Sequence, residues 1–479
     1  MIGEMSGMNI LLVNPVIPNK HRILEFCNDE ARKAVDKRVL VGPPLGLNML
    51  AGVVPNDNVI IIDQKAETDM NPNYDAADDL EKNIREFKPD IVSFTCLTAQ
   101  YNGVLKLLEL VKRINSKIIT TVGGIHPTSA PQDFVGSKAD IISIGLGKHS
   151  YYSIVKELKL NRDNPNFSRI PGIALNRGNS LYYTRSLGEF TYKEFKENYL
   201  LDEVLPNRDL TDKYNYTIPK VNKTIHYLST SEGCTNKCNF CYLWKMTNGH
   251  FYHRSVDAII QEIKKMDKYN VIRFCDANTF GDVNKAKVLF NRIIEEGLNR
   301  NHIYMGDVRT DTVVKYPEII ELASKAGLRI TICGLEATSD EELKEYGKDN
   351  SIENTKKALK ILNEANIYVN GNYIIKPSYD ERDFERVGKF IDENPIYNSA
   401  FTILTPFPGT EQWEKLQSEI VIKDYDYYNL TNSVLRTKLS EKEFYLKISE
   451  LYNFSGKSAQ KYFAKYGNMT LDRLICGNN

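Results

Sequence analysis

A chain of 479 residues, 42% hydrophobic and 26% charged, is long enough for two or three packed domains. Lys+Arg and Asp+Glu both number 62, so the formal charge is zero and no overall basic field argues for a nucleic-acid partner. No apolar run reaches the roughly 18 to 20 residues of a membrane span, and the opening MIGEMSGMNILLVNP carries no basic segment ahead of an apolar one, so the cytoplasm is the expected compartment. Of eight cysteines, Cys27, Cys96, Cys275, Cys333 and Cys476 are scattered singly, unlike a secreted disulfide framework.

From Met8 to about Leu158, short β-branched runs (10–13, 59–62, 91–95, 118–122 and 141–144) alternate with stretches such as 76–87 and 101–114, whose apolar residues fall three and four apart. That alternation predicts an α/β domain over 1–160: a doubly wound parallel sheet with helices on both faces. Ligands of such sheets sit outside the carboxyl ends of the strands. There the chain places Thr95 to Thr98, Gly123-Gly124-Ile125-His126-Pro127 and Gly145 to Gly147. Paired glycines after a strand let a ligand approach the backbone, although they also serve simply to turn a loop. Residues 161–222, polar and punctuated by Pro165, Pro171, Pro206 and Pro219, read as a crossing linker with a small ribbon.

The run SEGCTNKCNFCYLW follows the β-like Ile225 to Ser229 and sets Cys234, Cys238 and Cys241 in a CxxxCxxC spacing. Three thiolates on one loop can hold an iron-sulfur cubane whose fourth iron stays open to a ligand from outside the protein, whereas clusters that only carry electrons use four cysteines. A zinc site closed by His250 or His253 is the competing assignment. Six strand-helix units then follow from 223 to 411, too few to close an eight-stranded barrel and so leaving an open side. Polar residues again collect at strand ends: Asp276-Ala277-Asn278, Asp307 with Arg309, and Gly334-Leu335-Glu336; Asn370 and Asn372 lie within a strand. Residues 412–479 are tyrosine-rich and read as a small, mostly helical cap over the substrate opening.

The CxxxCxxC loop, with Phe240 before its last cysteine and Tyr242 after it, resembles the radical S-adenosylmethionine (SAM) superfamily. Pro43-Pro44-Leu45-Gly46-Leu47 and the glycine pairs resemble the cobalamin-binding domain that precedes many radical SAM cores, and Pro406-Phe407-Pro408-Gly409-Thr410 matches the P-x-P-G-T run that ends them. The resemblance extends from Met8 to Glu411, about four fifths of the chain. It implies a cobalamin-binding domain, a partial (β/α)6 radical SAM barrel, and three cofactors: a 4Fe-4S cluster on the three cysteines, S-adenosyl-L-methionine, and cobalamin.

By the same resemblance Phe240 lies against adenine, Asp276 or Asn278 holds the SAM amino group, Glu336 meets the ribose, and Arg309 joins the SAM-binding set. Lys376, where the chain departs from the family pattern, is instead the candidate to answer a negative group on SAM or substrate. Cobalamin falls to Pro44, Leu45, Thr95, Thr98, Gly123, Gly124, His126, Gly145 and Gly147. Where the family has G-E-G-E this chain reads Gly145-Leu146-Gly147-Lys148, Ile374-Ile375-Lys376-Pro377 replaces a glycine-rich strand end, and no D-x-H-x-x-G is present to supply a histidine to cobalt.

The implied activity is C-methylation of an unactivated carbon, through a 5'-deoxyadenosyl radical and methylcobalamin, in a small molecule or peptide, with a flavodoxin or ferredoxin as reductant. Cyclisation, ring rearrangement or carbon-carbon coupling on the same two domains is the alternative within enzymes. A corrinoid-binding redox sensor with a structural cluster is the alternative outside them.

Overall fold

The computed structural model describes residues 7–29, 31–32, 42–186, 193–194, 204–218 and 223–466. Parts of the expected linker (187–192, 195–203 and 219–222) and the end of the expected cap (467–479) lie outside the described residues.

The N-terminal sheet is built on β1 (Asn9–Asn14), whose four central residues are buried, as a strand covered on both faces requires. β2 (Asn58–Asp63), β3 (Ile91–Thr95), β4 (Ile119–Gly123) and β5 (Ile141–Ser143) run parallel to it. One face is covered by helices Ala76–Phe87 and Tyr101–Ile114, through Leu80, Ile84, Val104, Leu108 and Val111. The other is covered by Leu45–Gly52 and Lys148–Leu160, through Leu47, Ala51, Ile154, Val155 and Leu158. The ribbon expected within 161–222 is part of this sheet: β6 (Ile173–Asn176) and β7 (Leu181–Tyr183) add antiparallel strands in the order β2-β1-β3-β4-β5-β6-β7. Ile170, Ile173 and Ala174 are buried, which explains why this stretch joins the domain instead of crossing it.

The second sheet has the order β16-β15-β14-β13-β12-β9-β8. β9 (Lys223–Leu228), β12 (Val271–Phe274), β13 (Ile303–Val308), β14 (Leu328–Glu336), β15 (Tyr368–Ile375) and β16 (Asn398–Ile403) are parallel, and β8 (Thr217–Ile218) pairs antiparallel with β9. This is the six-stranded partial barrel. Its edge strand β16 would expose unpaired N–H groups. Helix Glu441–Tyr466 covers them, Ser458 Oγ accepting from Ile396 N (3.1 Å) and Ser455 Oγ from Ser399 N (3.0 Å). Such bonds contribute about 0.5–1.5 kcal/mol each. Of the expected C-terminal cap, the helix Glu441–Tyr466 lies along the barrel's last strand, while Asp424 and Tyr425 from its earlier part pack against Asn102, Tyr101 and His126 of the N-terminal domain.

Two buried polar clusters fasten the linker to both sheets. Asp63, fully buried at the end of β2, accepts from Tyr216 Oη (2.7 Å) and Asn14 Nδ2 (2.8 Å), while its N–H donates to Tyr214 Oη (2.8 Å). Glu262 accepts from both Arg208 and Arg254 (2.6 Å for the latter), joining the linker, the helix Val256–Lys264 and the residues that follow the cysteine loop. Removing one partner from such a group strands a buried charge.

Candidate cluster and cofactor sites

Two short strands bracket the cysteine loop. β10 (Ser231–Gly233) pairs antiparallel with β11 (Phe251–His253), so residues 234–250 form one closed excursion at the mouth of the barrel. Gly233 has φ +87, and a Cβ there would collide with His250 O and Thr247 Oγ1; only glycine fits where the loop leaves its strand. Within the loop Cys241 N donates to Cys238 O (3.1 Å) and Trp244 Nε1 to the same carbonyl (3.3 Å).

The three cysteines suit a cubane by their chemistry and surroundings. Asn236 N and Nδ2 stand 3.4 and 3.6 Å from Cys234 Sγ, the N–H-to-sulfur contacts that tune bound clusters. Burial raises the Cys238 thiol, while Lys348 and Arg309 act against it; burial pushes Cys241 up to about 11, with Cys238 and Cys234 adding to the rise. The sulfurs thus lie in one electrostatic neighbourhood, flanked by two cations that would answer the negative charge of an iron-sulfur group. Among the described residues no three His, Cys, Asp or Glu side chains converge as a single metal ion requires. A cubane asks something different, because each thiolate binds its own iron. His253, a candidate zinc ligand, directs Nδ1 at Arg254 O.

The expected SAM-binding residues separate into groups. Asn278 and Arg309 line, with Gly233, Cys234 and Asn236, a cavity of about 590 Å³ beside the loop. Arg309 is held by Asp311 (Nη2–Oδ2 2.8 Å). Phe240 packs edge-on to Tyr346 at 5.5 Å, in an apolar cluster with Ile374 and Leu404 at the barrel mouth. Glu336 has φ +64, rare for a residue with a side chain and common at functional sites. Its carboxylate meets Lys348 Nζ at 3.0 Å, and Lys348 also donates to Gly334 O.

Two expectations change. Asp276 is buried and faces the chain itself: Oδ1 accepts from Thr230 N and Ser231 N (both 2.8 Å) and Oδ2 from Thr230 Oγ1 (2.7 Å). Burial raises its pKa to about 6 against the opposing effect of those bonds. It fixes the approach to the cysteine loop instead of reaching into the cavity. Lys376 donates to Glu345 Oε2 (2.6 Å), so its charge is already answered. Sequence reasoning missed Lys348, which sits in the surface-like run Gly347-Lys348-Asp349-Asn350 yet is 6% exposed.

On the N-terminal sheet the carboxyl ends of β3, β4 and β5 bring together Thr95, Thr98, Gly123, Gly124 and Gly145. Gly124, at φ +109, would place a Cβ 3.1 Å from Cys96 N, Cys96 O and Thr95 Oγ1, so the backbone there tolerates no side chain. Gly145 N donates to Thr128 Oγ1 (3.0 Å), and Gly147 caps helix Lys148–Leu160. Pro44 precedes helix Leu45–Gly52, where a Cβ on Gly46 would meet nothing within 4 Å, leaving the backbone open to an incoming group. These residues fit a large ligand laid along the strand ends. His126 is the exception: its ring is fully buried among Tyr101, Phe134 and Tyr425, with Nε2 3.3 Å from Asp133, so the imidazole packs inward and offers no contact to a ligand. One of the three rings, Tyr425, comes from nearly three hundred residues away in sequence.

The two sites adjoin. Tyr242, next to Cys241, donates from Oη to Thr128 O (2.9 Å), four residues beyond Gly124. Lys245 donates to Gly409 O (2.6 Å), and Gly409 packs against Ser129.

Comparison with known proteins accords with this geometry. Residues 31–155 match the B12 binding domain and residues 228–391 the Radical SAM superfamily. The chain is 25% identical over 429 residues to the hopanoid C-3 methylase of Methylococcus capsulatus, covering 88% of this chain and 78% of that protein. Its fold is similar to that of the cobalamin-dependent SAM radical enzyme OxsB, solved with aqua-cobalamin and SAM (TM-score 0.67, 15% identity, 93% of this chain and 66% of that one). It is also similar to the radical SAM methyltransferase TsrM from Kitasatospora setae, solved with cobalamin and a [4Fe-4S] cluster (TM-score 0.67, 14% identity, 92% and 85%). With both models matched in this order, the chain carries a B12 binding domain followed by a Radical SAM superfamily domain.

Proposed function

We propose that this protein is a cobalamin-dependent radical SAM C-methyltransferase that acts on an unactivated carbon of a small molecule or peptide. The observation that carries the reading is the direct contact between the two sites, Tyr242 Oη to Thr128 O at 2.9 Å, which joins the cysteine loop to the strand ends suited to cobalamin. Hydrogen abstraction and methyl donation must face the same carbon, and holding both sources around one pocket supplies the orientation such a reaction needs. The similarity to methyltransferases supports the same reading.

When bound, the cluster and SAM supply a hydrogen-abstracting radical and the corrinoid supplies the methyl group; the protein supplies position and exclusion. Cys234, Cys238 and Cys241 would hold three irons. Arg309 and Lys348 place positive charge beside them, Glu336 presents a carboxylate at the end of β14, and Asp276 keeps Thr230 and Ser231 in the conformation from which the loop departs. Thr95, Gly123, Gly124 and Gly145 would receive the corrinoid along their backbone.

No helix among the described residues is long and apolar enough to cross a membrane. A cytoplasmic site of action, with a flavodoxin or ferredoxin as electron donor, suits an oxygen-sensitive cluster.

The test is anaerobic turnover with SAM labelled in its methyl carbon. Labelled product accompanied by S-adenosylhomocysteine and 5'-deoxyadenosine supports methyl transfer. Only 5'-deoxyadenosine, methionine and an unlabelled product would replace it with cyclisation, rearrangement or coupling.

A further inference from the structure

The inner wall of the half-barrel changes character along its strands. Residues of the parallel strands alternate between the helix-packed outer core, which takes Leu228, Ile272, Phe274, Tyr304, Val369 and Tyr373, and the concave side. At the amino-terminal end the concave side is apolar, with Ile225, Val271, Met305, Ile330 and Tyr368 in one cluster. One step towards the mouth the same faces carry Tyr227, Arg273, Asp307, Asn370 and Asn372, interrupted by Ile332 between Asp307 and Asn370. The chain alternation thus turns from a hydrophobic floor to a polar belt, beneath the ring that holds Arg309 and Glu336.

The belt is organised. Arg273 Nη2 lies 3.1 and 3.0 Å from the two carboxylate oxygens of Asp307. The guanidinium stands 5.4 Å from the Tyr227 ring centre, and Arg273 Nε is buried without a hydrogen-bond partner. The Arg273 and Asp307 side chains nevertheless keep 21% and 25% of their surface, so both are accessible on the concave side. The N-terminal domain reaches the belt: a Cβ on Gly42 would collide with the Tyr227 hydroxyl, so the residue before Pro43-Pro44-Leu45 touches it.

We infer that Tyr227, Arg273 and Asp307 form the substrate anchor of this enzyme, and that the anchored group is a neutral amide. This rests on the proposed function only in placing the reaction in the barrel. The charge balance selects the class. A substrate carboxylate drawn to Arg273 would face Asp307, and an ammonium drawn to Asp307 would face Arg273; either leaves an opposed charge in a poorly hydrated space. A carboxamide accepts from the Arg273 N–H groups, of which Nε has no partner, and donates to the Asp307 oxygens, meeting neither penalty. The belt does not suit a hydrocarbon, which would leave these groups unpaired.

The test is saturation-transfer NMR on the cluster-reconstituted, cobalamin-loaded protein with acetamide, acetate and methylammonium, three probes of one size and three charges. The expected result is binding of acetamide about tenfold tighter than of acetate or methylammonium, the worth of one hydrogen bond. Asp307→Asn unpairs Arg273 and is expected to admit acetate; Arg273→Met unpairs Asp307 and is expected to admit methylammonium. A merely structural pair would not swap probe charge in this way, and each variant's cluster absorbance and thermal transition report that it has folded. Acetate or methylammonium binding to the wild type better than acetamide, or probe selection unchanged in the folded variants, would overturn the inference. Binding is read without turnover: amide selection with no methyl transfer would remove the proposed reaction and leave the anchor, and methyl transfer without amide selection would do the reverse.

Discussion

The two halves of this protein prepare for their cofactors by opposite means. The cysteine loop is shaped by side chains: Asp276 holds its approach, Asn236 contacts Cys234 sulfur, and Arg309 and Lys348 bear on Cys238. The cobalamin edge is shaped by the lack of side chains, with Gly124 pressed against Cys96 and Thr95 and Gly46 facing open space. A small charged cluster needs defined ligands and charge around it, whereas a large flat macrocycle needs backbone it can approach. The difference teaches that substitutions should fail differently in the two halves: deletions of side chains should damage the loop, and additions should damage the sheet edge, with Gly233, where the loop leaves its strand, the point at which an addition also damages the loop.

The largest effect expected is from deletion in the loop. Cys238→Ala removes one of three thiolates, and SAM cleavage should fall to background with loss of the cluster's visible absorbance, while corrinoid retention persists. Gly233→Val adds a side chain at the one loop position where the chain itself leaves no room. Strain at such a site is about 1–3 kcal/mol before the collision with Thr247 and His250 is counted, so cluster content after reconstitution should drop severely, and if it does not, the loop is not fixed by this turn. Gly124→Val should cost a similar strain at φ +109 but show its effect in corrinoid retained after desalting, with the cluster spectrum unchanged; equal damage to both cofactors would blur the distinction between the halves.

The smallest effect concerns Asp276. A carboxyl raised to about 6 in the folded protein contributes stability that is fully present below the ordinary carboxylate value and is lost as the pH rises through about 6. Asp276→Asn stays neutral, so the melting temperature of the wild type minus that of the variant should shrink between pH 4.5 and 7.5. A difference that grows over that range would show that the carboxylate form, not the acid, is the better partner for Thr230 and Ser231.

How much of this was legible in the sequence follows from how local each feature is. The strand and helix alternation gave both sheets, and helices Ala76–Phe87 and Tyr101–Ile114 begin and end where their apolar spacing does. The cysteine loop is legible because its ligands lie within eight residues of one another. Features that depend on distant partners were not legible. β6 and β7 look like linker until they pair with β5, and Lys348 looks like surface until Glu336 meets it. Lys376 is satisfied by Glu345, thirty-one residues away, and His126 is enclosed by Tyr425 from beyond the barrel. Asp276 stands where a SAM-binding residue was expected, but the direction of its carboxylate is set by two backbone N–H groups that no spacing reveals. Arg273 interrupts the apolar run Val271-Ile272-Arg273-Phe274 at an alternate position, a signal for an inward polar wall that was present in the sequence.

The central claim is that two cofactor sites close on one compartment, and one anaerobic sample tests it most directly. The reconstituted protein is incubated with cobalamin, desalted, and then given SAM and reductant, with corrinoid absorbance and 5'-deoxyadenosine read in turn. The account predicts stoichiometric corrinoid retained together with SAM cleavage. Cleavage by a protein that retains no corrinoid would contradict it and leave the N-terminal sheet a scaffold with no part in the reaction.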